Sequence, residues 1–281
     1  MVMEALHRQV WEMLQQGGIE DSRLEASLLL EHFCGASRAV LLAHGDRPVQ
    51  PEQQEALLQA VRKRLQRYPL QYLLGEWEFM GLPFVLNEDT LIPRADTEVL
   101  AEAAISHIGD RPLYVADLCC GTGCIGISVA HYCKHARVML CDISPRAVQA
   151  TEENARRNGV QDRCEVLVHD VCTPLPGEIC YDMILSNPPY IPRGDLAGLQ
   201  PEVQHEPRRA LDGGEDGLDF YRDLLRLHTG RLNPGGLIAV ECGIGQWQDI
   251  ERLMKDAGLH EVHTLQDGAG IGRVVMGTRD A

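Results

Sequence analysis

The chain reads Asp117-Leu118-Cys119-Cys120-Gly121-Thr122-Gly123-Cys124-Ile125-Gly126 where an apolar run over residues 113–118 meets a helical pattern over residues 125–133. The glycines at positions 121, 123 and 126 form a GxGxxG pattern at this junction. Glycines there let the backbone pass close to a ligand and expose N–H groups at the N-terminus of the helix. The segment therefore predicts a ligand-binding loop in an α/β fold, and on this pattern alone a dinucleotide is one candidate ligand.

Strands and helices alternate along the chain beyond this loop. The apolar patterns predict strands at residues 113–118, 137–143, 165–169, 182–186 and 236–241, and helices at residues 125–133, 145–158, 218–232 and 247–257. Near-continuous apolar strands in repeated βα units are typical of a mostly parallel sheet covered by helices on both faces. The last two strands, near residues 261–265 and 273–277, have no helix between them and are expected to be antiparallel.

The first 70 residues are predicted to form a separate helical domain. Apolar residues spaced by three and four predict helices over residues 2–14, 23–33 and 51–67, with Ser22 as the cap of the second. No stretch in this part alternates as a strand does, and none carries a catalytic signature. We therefore expect a role in substrate recognition.

A hairpin and a helix start are predicted between these two parts. Residues 72–86 place aromatic side chains around a Gly/Pro turn, which indicates a β-hairpin. After it, Asp96 or Thr97 is expected to cap a helix over residues 99–108. Capping explains both of these residues, whereas the Arg94 that precedes them is not explained by local structure.

Three aspartates follow the first three strands of the predicted sheet. Asp142 ends the second strand, about 20 residues beyond the glycines, where an acid holds a ribose diol; its alternative role is a helix cap before Pro145. Asp170 closes the third strand, where it can accept a hydrogen bond from an adenine amino group. Asp117 begins the loop, as is common where an adenosyl amino acid takes the place of a pyrophosphate. Together they favour S-adenosylmethionine over a dinucleotide.

A second motif, Asn187-Pro188-Pro189-Tyr190, follows the apolar strand at residues 182–186. Two consecutive prolines cannot continue a strand ladder, and they hold the preceding asparagine in an extended conformation. The resulting stiff turn presents Asn187 Oδ1 and the carbonyl of Pro188 as two acceptors. A planar amide or amino group has two N–H donors to match them, so the turn predicts chemistry at a nitrogen atom.

The composition limits the partners of this chain. It has 281 residues and a net charge of −15, from 41 acidic and 26 basic residues, which disfavours extended binding to nucleic acid. Its ten cysteines include no CxxC pair, so we expect reduced thiols and no metal site. We find no signal-peptide pattern and no apolar run near the roughly 20 residues of a membrane span, so a cytoplasmic protein without membrane contact is expected.

These motifs resemble the HemK/PrmC family of protein-glutamine N5-methyltransferases, which modify peptide chain release factors. The resemblance covers nearly the whole chain and includes the glycine loop, Asn187-Pro188-Pro189-Tyr190, and several further segments. These segments are Pro69-Leu70-Gln71-Tyr72 with Gly75 and Phe79, Leu91-Ile92-Pro93-Arg94 with Asp96-Thr97-Glu98, Glu206-Pro207-Arg208, Ala210-Leu211-Asp212-Gly213-Gly214, Asp216-Gly217-Leu218 and Arg273-Val274.

The resemblance implies a class I S-adenosylmethionine-dependent methyltransferase with a Rossmann-like, mostly parallel seven-stranded sheet and a small N-terminal helical domain. It implies three regions: a helical substrate-recognition domain over residues 1–70, a hairpin linker over residues 71–90 and the methyltransferase domain over residues 91–281. The implied substrate is the glutamine of the Gly-Gly-Gln motif in class I release factors, the implied product of the cofactor is S-adenosylhomocysteine, and a monomer is expected.

The resemblance also assigns roles to residues of this chain. Catalysis falls to Asn187, Pro188 and Tyr190, and substrate binding to Asn187, Pro188, Pro189 and Tyr190, with no metal. Cofactor binding falls to Asp117, Cys119, Cys120, Gly121, Thr122, Gly123, Asp142, Asp170, Val171 and Asn187. The family usually has glycine where Cys119 stands, so the loop is expected to be bulkier here, with binding preserved by Gly121 and Gly123.

Three alternative functions are open at this point. A related enzyme type methylates a glutamine of a ribosomal protein and shares the Asn-Pro-Pro-Tyr motif, although Asp96-Thr97-Glu98 fits the release-factor branch better. An adenine-N6 methyltransferase would use the same turn, but the net charge of −15 counts against a nucleic acid substrate. An NAD-dependent enzyme or a non-catalytic adaptor explains the glycine loop or the helical domain but not the Asn-Pro-Pro-Tyr turn.

Overall fold

The computed structural model describes residues 1–280. The chain divides into two compact units. The first contains Met1–Gly75 together with Gln200–His205, and the second contains Glu76–Leu199 and the chain from Glu206 onward. Sequence patterns did not indicate that a six-residue segment so late in the chain belongs with the N-terminal helices.

The first unit consists of five helices: α1 (Met3–Gln16), α2 (Ser22–Cys34), α3 (Arg38–His44), α4 (Pro51–Leu65) and α5 (Leu70–Leu74). Apolar residues spaced by three and four turn to one side of α1 and α2, where Leu6, Val10, Leu14, Leu29 and Leu30 form a core with no exposed surface. The predicted Ser22 cap is wrong: Asp21 occupies the N-cap position of α2, and its side chain makes no capping hydrogen bond.

Segment Gln200–His205 is held in the first unit by a buried ion-pair cluster. Arg64 donates through Nε to Glu25, at 2.7 Å, and through Nη1 to Glu202, at 2.9 Å. The Arg64 side chain is only 8% exposed and that of Glu25 11%. Because a charge buried this deeply is costly unless it is paired, the two glutamates account for the burial of the guanidinium.

The second unit begins with an antiparallel hairpin, β1 (Glu76–Phe79) and β2 (Leu82–Val85), followed by α6 (Ala95–Ile108). The predicted caps of this helix are wrong, because Arg94 occupies its N-cap position and makes no side-chain capping bond. Asp96 and Thr97 instead lie inside the first turn. Their partners lie far along the chain, since Asp96 contacts Arg273 at 2.7 Å.

A seven-stranded sheet forms the centre of the second unit. Its strands and helices are β3 (Tyr114–Leu118), α7 (Cys124–Tyr132), β4 (Arg137–Asp142), α8 (Pro145–Arg157), β5 (Cys164–Val168), β6 (Tyr181–Ser186), α9 (Asp219–His228), β7 (Leu232–Glu241), α10 (Trp247–Asp256), β8 (Leu259–Gln266) and β9 (Gly272–Arg279). The strand order is β5-β4-β3-β6-β7-β9-β8. All pairs are parallel except β7 with β9 and β9 with β8. The predicted class I methyltransferase fold and its antiparallel last pair are confirmed.

The order of the strands reverses at β3, which pairs with β4 on one side and β6 on the other. A crevice opens at the carboxyl ends of the strands at such a point. Along β3, Val115 packs in the apolar cluster that includes α6 and α7, and Ala116 and Leu118 pack in the cluster on the other face. Because side chains alternate between the faces of a strand, Asp117 points toward α7.

In residues 1–280 no single helix is both long and apolar enough to cross a membrane, while α2 and α3, bent by 82° at their break, meet that test of length and composition as a pair. The same residues contain no group of three or more His, Cys, Asp or Glu side chains that could hold a metal ion.

Candidate active site

A cavity of about 440 Å³ lies at the carboxyl ends of β3, β4 and β6. It is lined by the glycine loop, by the Leu91-Ile92-Pro93-Arg94 element and by Asn187 and Pro189 of the Asn-Pro-Pro-Tyr turn. Nine of the residues predicted to bind cofactor or substrate line it: Cys119, Cys120, Gly121, Thr122, Asp142, Asp170, Val171, Asn187 and Pro189. Four others, Asp117, Gly123, Pro188 and Tyr190, are not among the lining residues.

The glycine loop owes its shape to two positive φ angles, 56° at Gly121 and 78° at Gly123. A Cβ atom at Gly123 would lie 2.7 Å from Thr151 Cγ2 and 2.8 Å from Ile127 Cδ1. Only glycine fits this position without displacing buried side chains. Cys119 is in the same left-handed region, with φ 62°, although it is not a glycine.

Asp142 fixes the loop from the next strand. Its Oδ2 accepts from the Gly121 N–H at 2.9 Å, and its Oδ1 accepts from the Ser144 N–H, also at 2.9 Å. Burial raises the pKa of this carboxyl, while the backbone N–H groups and the charge of Arg209 oppose that rise. Ser144, rather than Asp142, is the side-chain cap of α8. The helix cap is therefore Ser144 and not Asp142. The carboxyl of Asp142 is held by two backbone N–H groups and lines the cavity.

Asp117 lies behind the loop. Its Oδ2 accepts from the N–H of Gly126 at 2.9 Å, and a Cβ atom at Gly126 would lie 2.9 Å from that same oxygen. The third glycine of GxGxxG therefore leaves room for this carboxyl. Oδ1 is buried with no hydrogen-bond partner in residues 1–280. Burial raises the pKa of Asp117 to about 7, against the hydrogen bond from Gly126.

The opposite wall of the cavity combines one acid with apolar surface. Asp170 accepts from the Cys172 N–H through Oδ1 at 2.9 Å, and Val171, Ile143 and Phe220 line the cavity beside it. An apolar wall with a carboxylate beside it suits an adenine ring. His228, which the sequence did not indicate, supports this wall because its Nε2 contacts the carbonyl of Val171 at 2.8 Å.

The Asn-Pro-Pro-Tyr turn begins directly after β6. Asn187 Nδ2 donates to Thr97 Oγ1 at 3.4 Å, and both residues line the cavity. With its Nδ2 engaged on this side, the amide has its oxygen available as an acceptor. Arg94 also lines the cavity and pairs with the buried Glu206, which in turn accepts from the Ile92 N–H at 3.0 Å. Arg94, which local structure did not explain, is thus one of the residues that line this site.

The rest of the turn is clamped by remote segments. The carbonyl of Tyr190 accepts from Gln246 Nε2 at 2.9 Å. Gly213 and Gly217 pack against the Tyr190 backbone so closely that a Cβ atom would lie 2.8 Å and 2.3 Å from its atoms. Burial, reinforced by the nearby Glu241 carboxylate, raises the pKa of the Tyr190 hydroxyl.

Glu241, at the end of β7, was missed in the sequence. It is 2% exposed, and its Oε2 has no hydrogen-bond partner in the described chain. Burial raises its pKa to about 7, and Thr97 and Arg273 oppose this. An acid inside the apolar run Leu237-Ile238-Ala239-Val240 was the available signal, because a buried strand rarely ends on an uncompensated charge.

Comparisons with known proteins place both parts of the chain. Residues 5–75 match the PrmC N-terminal domain, and residues 95–206 match the methyltransferase small domain. A release factor glutamine methyltransferase of Geobacter sulfurreducens is 43% identical over 265 residues, covering 94% of this chain and 92% of the relative. One of Bordetella pertussis is 44% identical over 256 residues, covering 91% and 94%.

The fold also matches solved structures. A 16S rRNA methyltransferase of Thermus thermophilus, in complex with AdoMet and guanosine, has a TM-score of 0.53 at 18% identity, covering 73% of this chain and 49% of that one. At this identity the match concerns the fold alone.

Proposed function

This chain belongs to the release factor glutamine methyltransferase family, and we propose that it transfers a methyl group from S-adenosylmethionine to the side-chain amide nitrogen of a glutamine in a peptide chain release factor. The proposed acceptor is the glutamine of the Gly-Gly-Gln motif in class I release factors. The proposed enzyme is a cytoplasmic monomer that does not contact a membrane. It is also proposed not to contact nucleic acid directly, in keeping with its net charge of −15.

One observation carries the proposal: the amide of Asn187 faces the cavity beside the glycine loop with its nitrogen already bonded to Thr97. An amide held in this way offers Oδ1 to a donor. The carbonyl of Pro188 is the second proposed acceptor, so that the two N–H groups of a substrate glutamine amide are both matched. Neither role would suit a substrate oxygen, which has no such pair of donors.

In the proposed site the cofactor would be bound in the part of the cavity that the glycine loop, Asp142 and Asp170 line. Asp142 holds the ribose hydroxyls, Asp170 and Val171 receive the adenine, and the backbone of residues 119–123 with Asp117 behind it encloses the methionine end. Bound there, S-adenosylmethionine supplies an electrophilic methyl group on a positively charged sulfur. Asp142 and Asp170 are suited to binding the ribose and the adenine because backbone N–H groups fix these two acceptors in place.

The chemistry requires positioning above all. The lone pair of an amide nitrogen is delocalised into its carbonyl, so the nitrogen is a weak nucleophile. Holding both N–H groups on Asn187 Oδ1 and the Pro188 carbonyl turns the face of the nitrogen toward the methyl carbon. On transfer, a nitrogen–carbon bond would form as the carbon–sulfur bond breaks with its electron pair going to sulfur, and the proton lost from the nitrogen would pass to bulk solvent as the product leaves. Tyr190 and Pro189 enclose the substrate side chain and exclude competing water.

The test replaces the acceptor amide. Asn187→Ala should lower the rate of methyl transfer to purified release factor at least about 100-fold, a loss typical of removing one well-placed polar group from a site. The affinity for S-adenosylhomocysteine should stay within a few-fold, because the glycine loop and Asp142 are untouched. Asn158→Ala is the matched control, since this amide bonds to the Pro83 carbonyl outside the cavity.

Methyl transfer is measured with labelled cofactor, release factor, ribosomal protein and nucleic acid in parallel, and the site is located by mass spectrometry. Label on a glutamine of the release factor, lost in Asn187→Ala and kept in Asn158→Ala, is the expected result. Label in nucleic acid or in ribosomal protein alone would overturn the proposed substrate. Undiminished transfer by Asn187→Ala would overturn the proposed role of the turn.

A further inference from the structure

A buried histidine lies behind the wall of the cavity that is proposed to receive the adenine. His228, in the last turn of α9, has no exposed surface. One turn earlier on the same helix, Leu224 and Leu225 pack in an apolar cluster that includes Val171. An apolar residue at position 228 would avoid the cost of burying a polar ring. Packing alone therefore does not explain a histidine at this position.

The ring of His228 donates a hydrogen bond to the backbone of the wall. Its Nε2 lies 2.8 Å from the carbonyl oxygen of Val171. Because a carbonyl only accepts, Nε2 carries the hydrogen, and Nδ1, which is buried without a partner in residues 1–280, carries a lone pair. Burial lowers the pKa of His228, and the charges of His169 and Arg231 lower it further. The ring is therefore neutral at neutral pH.

The carbonyl that His228 binds belongs to a peptide group whose other end holds Asp170. The C=O of Val171 and the N–H of Cys172 lie in one planar trans unit and point in opposite directions. The Cys172 N–H donates to Asp170 Oδ1 at 2.9 Å. By fixing the carbonyl, His228 fixes the direction of this N–H and with it the position of Oδ1. Asp170 Oδ2 is then the oxygen that remains for a ligand.

The preceding peptide group is also held at its carbonyl end. The Asp170 carbonyl accepts from the Thr173 N–H at 2.9 Å and from the Thr173 hydroxyl at 2.7 Å. The N–H of Val171 belongs to this unit, points away from Thr173 and has no hydrogen-bond partner among the described residues. Asp170 and Val171 both line the cavity, so one acceptor and one donor are adjacent on its wall.

The rest of the segment between β5 and β6 is anchored separately. Arg231, just beyond α9, donates to the carbonyls of Leu175, Gly177 and Ile179. The end of α9 and the turn after it therefore hold this irregular segment at two places. Since Arg231 holds the distant part, loss of the hydrogen bond from His228 should free only the part that lines the cavity.

An acceptor beside a donor matches the edge of adenine but not that of its deaminated form. Adenine has an amino group at N6, which donates, and a ring nitrogen N1, which accepts. Hypoxanthine has a carbonyl oxygen in place of the amino group and a hydrogen on N1, so its pattern is reversed. Against a rigid wall it would set acceptor against acceptor and donor against donor, and such groups lose their hydrogen bonds.

We propose that His228 is a positioning residue that makes the cofactor site selective for adenine. By holding the Val171 carbonyl, it keeps the Asp170 carboxylate and the Val171 N–H side by side in one fixed arrangement. The proposal rests on the proposed placement of the adenine at Asp170 and Val171. Without the hydrogen bond the wall can adjust to the reversed pattern, so the loss appears as reduced selectivity between bases.

The experiment compares two ligands on the full-length protein by calorimetric titration: S-adenosylhomocysteine and S-inosylhomocysteine, in which hypoxanthine replaces adenine. The native protein should bind the inosyl compound at least about tenfold more weakly. In His228→Leu the ratio of the two dissociation constants should fall at least about fivefold, the effect of about one hydrogen bond. His228→Gln places an NH₂ group near the position of Nε2 and should keep the ratio within about twofold of the native value.

Leu224→Ala is the matched control for loss of packing. It removes buried apolar volume one turn before His228 and leaves the hydrogen bond to Val171 in place. It should lower Tm, as His228→Leu should, but keep the native ratio of dissociation constants. Thermal unfolding of every variant is measured, and the titrations are made well below the lowest Tm.

A second readout concerns the ring itself. A long-range ¹H–¹⁵N spectrum of the native protein distinguishes the two neutral forms of a histidine, and the signals of His228 are assigned by their loss in His228→Gln. We expect the form with its hydrogen on Nε2. Hydrogen on Nδ1 would overturn the proposal, because Nε2 could then not donate to the Val171 carbonyl.

The outcomes separate this proposal from the proposed function. Native protein that selects adenine but transfers no methyl group to release factor would overturn the proposed function and leave the role of His228 standing. Active native protein with an unchanged ratio in His228→Leu would overturn the role of His228 alone. Equal loss of selectivity in Leu224→Ala would also overturn it, because packing would then account for the effect. A His228→Gln variant no more selective than His228→Leu would contradict it as well.

Discussion

The glycine loop and the acceptor turn line one cavity but are held in place by different means. The loop is shaped by its own backbone, with Gly121 and Gly123 at positive φ and one N–H bonded to Asp142 on the next strand. The turn is held by side chains and close packing from segments far along the chain, among them Thr97, Gln246 and Gly217. One half of the site is therefore specified locally, and the other half by the tertiary structure.

This difference predicts that the two halves fail in different ways. Damage to the loop should first weaken cofactor binding, because the loop forms the surface on which the cofactor rests. Damage to the supports of the turn should leave cofactor binding intact and reduce kcat, because the supports only orient the acceptor groups. Matched substitutions in the two regions separate these outcomes.

The largest effects are expected from one alanine in each half. A Cβ atom at Gly217 would lie 2.3 Å from the Tyr190 carbonyl oxygen and 2.5 Å from Gln246 Nε2, so Gly217→Ala must displace the turn. We expect kcat to fall at least about 100-fold with cofactor affinity within a few-fold. Gly123→Ala, with its Cβ against Thr151 and Ile127, should instead weaken cofactor affinity at least about tenfold.

Both variants place alanine at a positive φ, 78° in each case, so backbone strain alone cannot account for a difference between them. Gly230→Ala is the control, because a Cβ atom there has no neighbour within 4 Å. Calorimetric titration with S-adenosylhomocysteine and steady-state kinetics give the two quantities. If both variants lost the same quantity, the division of the site into two halves would be wrong.

The same division between local and tertiary support explains which parts of the fold and of the site could be predicted from the sequence. Periodic apolar residues predicted the parallel sheet, and the spacing from Gly121 to Asp142 placed an acid at the next strand end, because these signals are local. The caps proposed at Asp96 and Thr97 were wrong because the helix begins earlier, and these side chains contact Arg273 and Asn187, at least 90 positions away. No window of sequence contains that information.

An effect of intermediate size is expected from Asp117, the buried acid behind the glycine loop. The pKa of Asp117 is raised to about 7 in the folded protein, so the folded state retains a proton that the unfolded chain loses near pH 4. The contribution of Asp117 to the free energy of unfolding is greatest at low pH. It falls as the pH rises toward 7, by about 1.4 kcal/mol per pH unit. Asp117→Asn, which is neutral throughout, should lack this dependence.

Between pH 5.5 and 7 the native protein should therefore lose about 2 kcal/mol relative to Asp117→Asn, or about 4–8 °C in Tm for a unit of this size. Glu241 titrates in the same range but is present in both proteins, so its contribution cancels in the difference. Differential scanning fluorimetry of the protein without cofactor at several pH values is sufficient. Parallel Tm curves for the two proteins would show that Asp117 is ionised at neutral pH.

The smallest effect concerns the one non-glycine residue of the loop with positive φ, Cys119. Relief of its left-handed conformation in Cys119→Gly gains about 1–2 kcal/mol, while the freer unfolded chain and the lost thiol together cost a similar amount. We expect Tm within about 3 °C of the native value and cofactor affinity within threefold, because Gly121 and Gly123 still shape the loop. Cys119→Ala keeps the Cβ atom but loses the thiol, so it should be less stable than Cys119→Gly by about 1 kcal/mol. Equilibrium unfolding of the two variants isolates the strain, and an alanine variant more stable than the glycine variant would mean that the loop imposes none at this position.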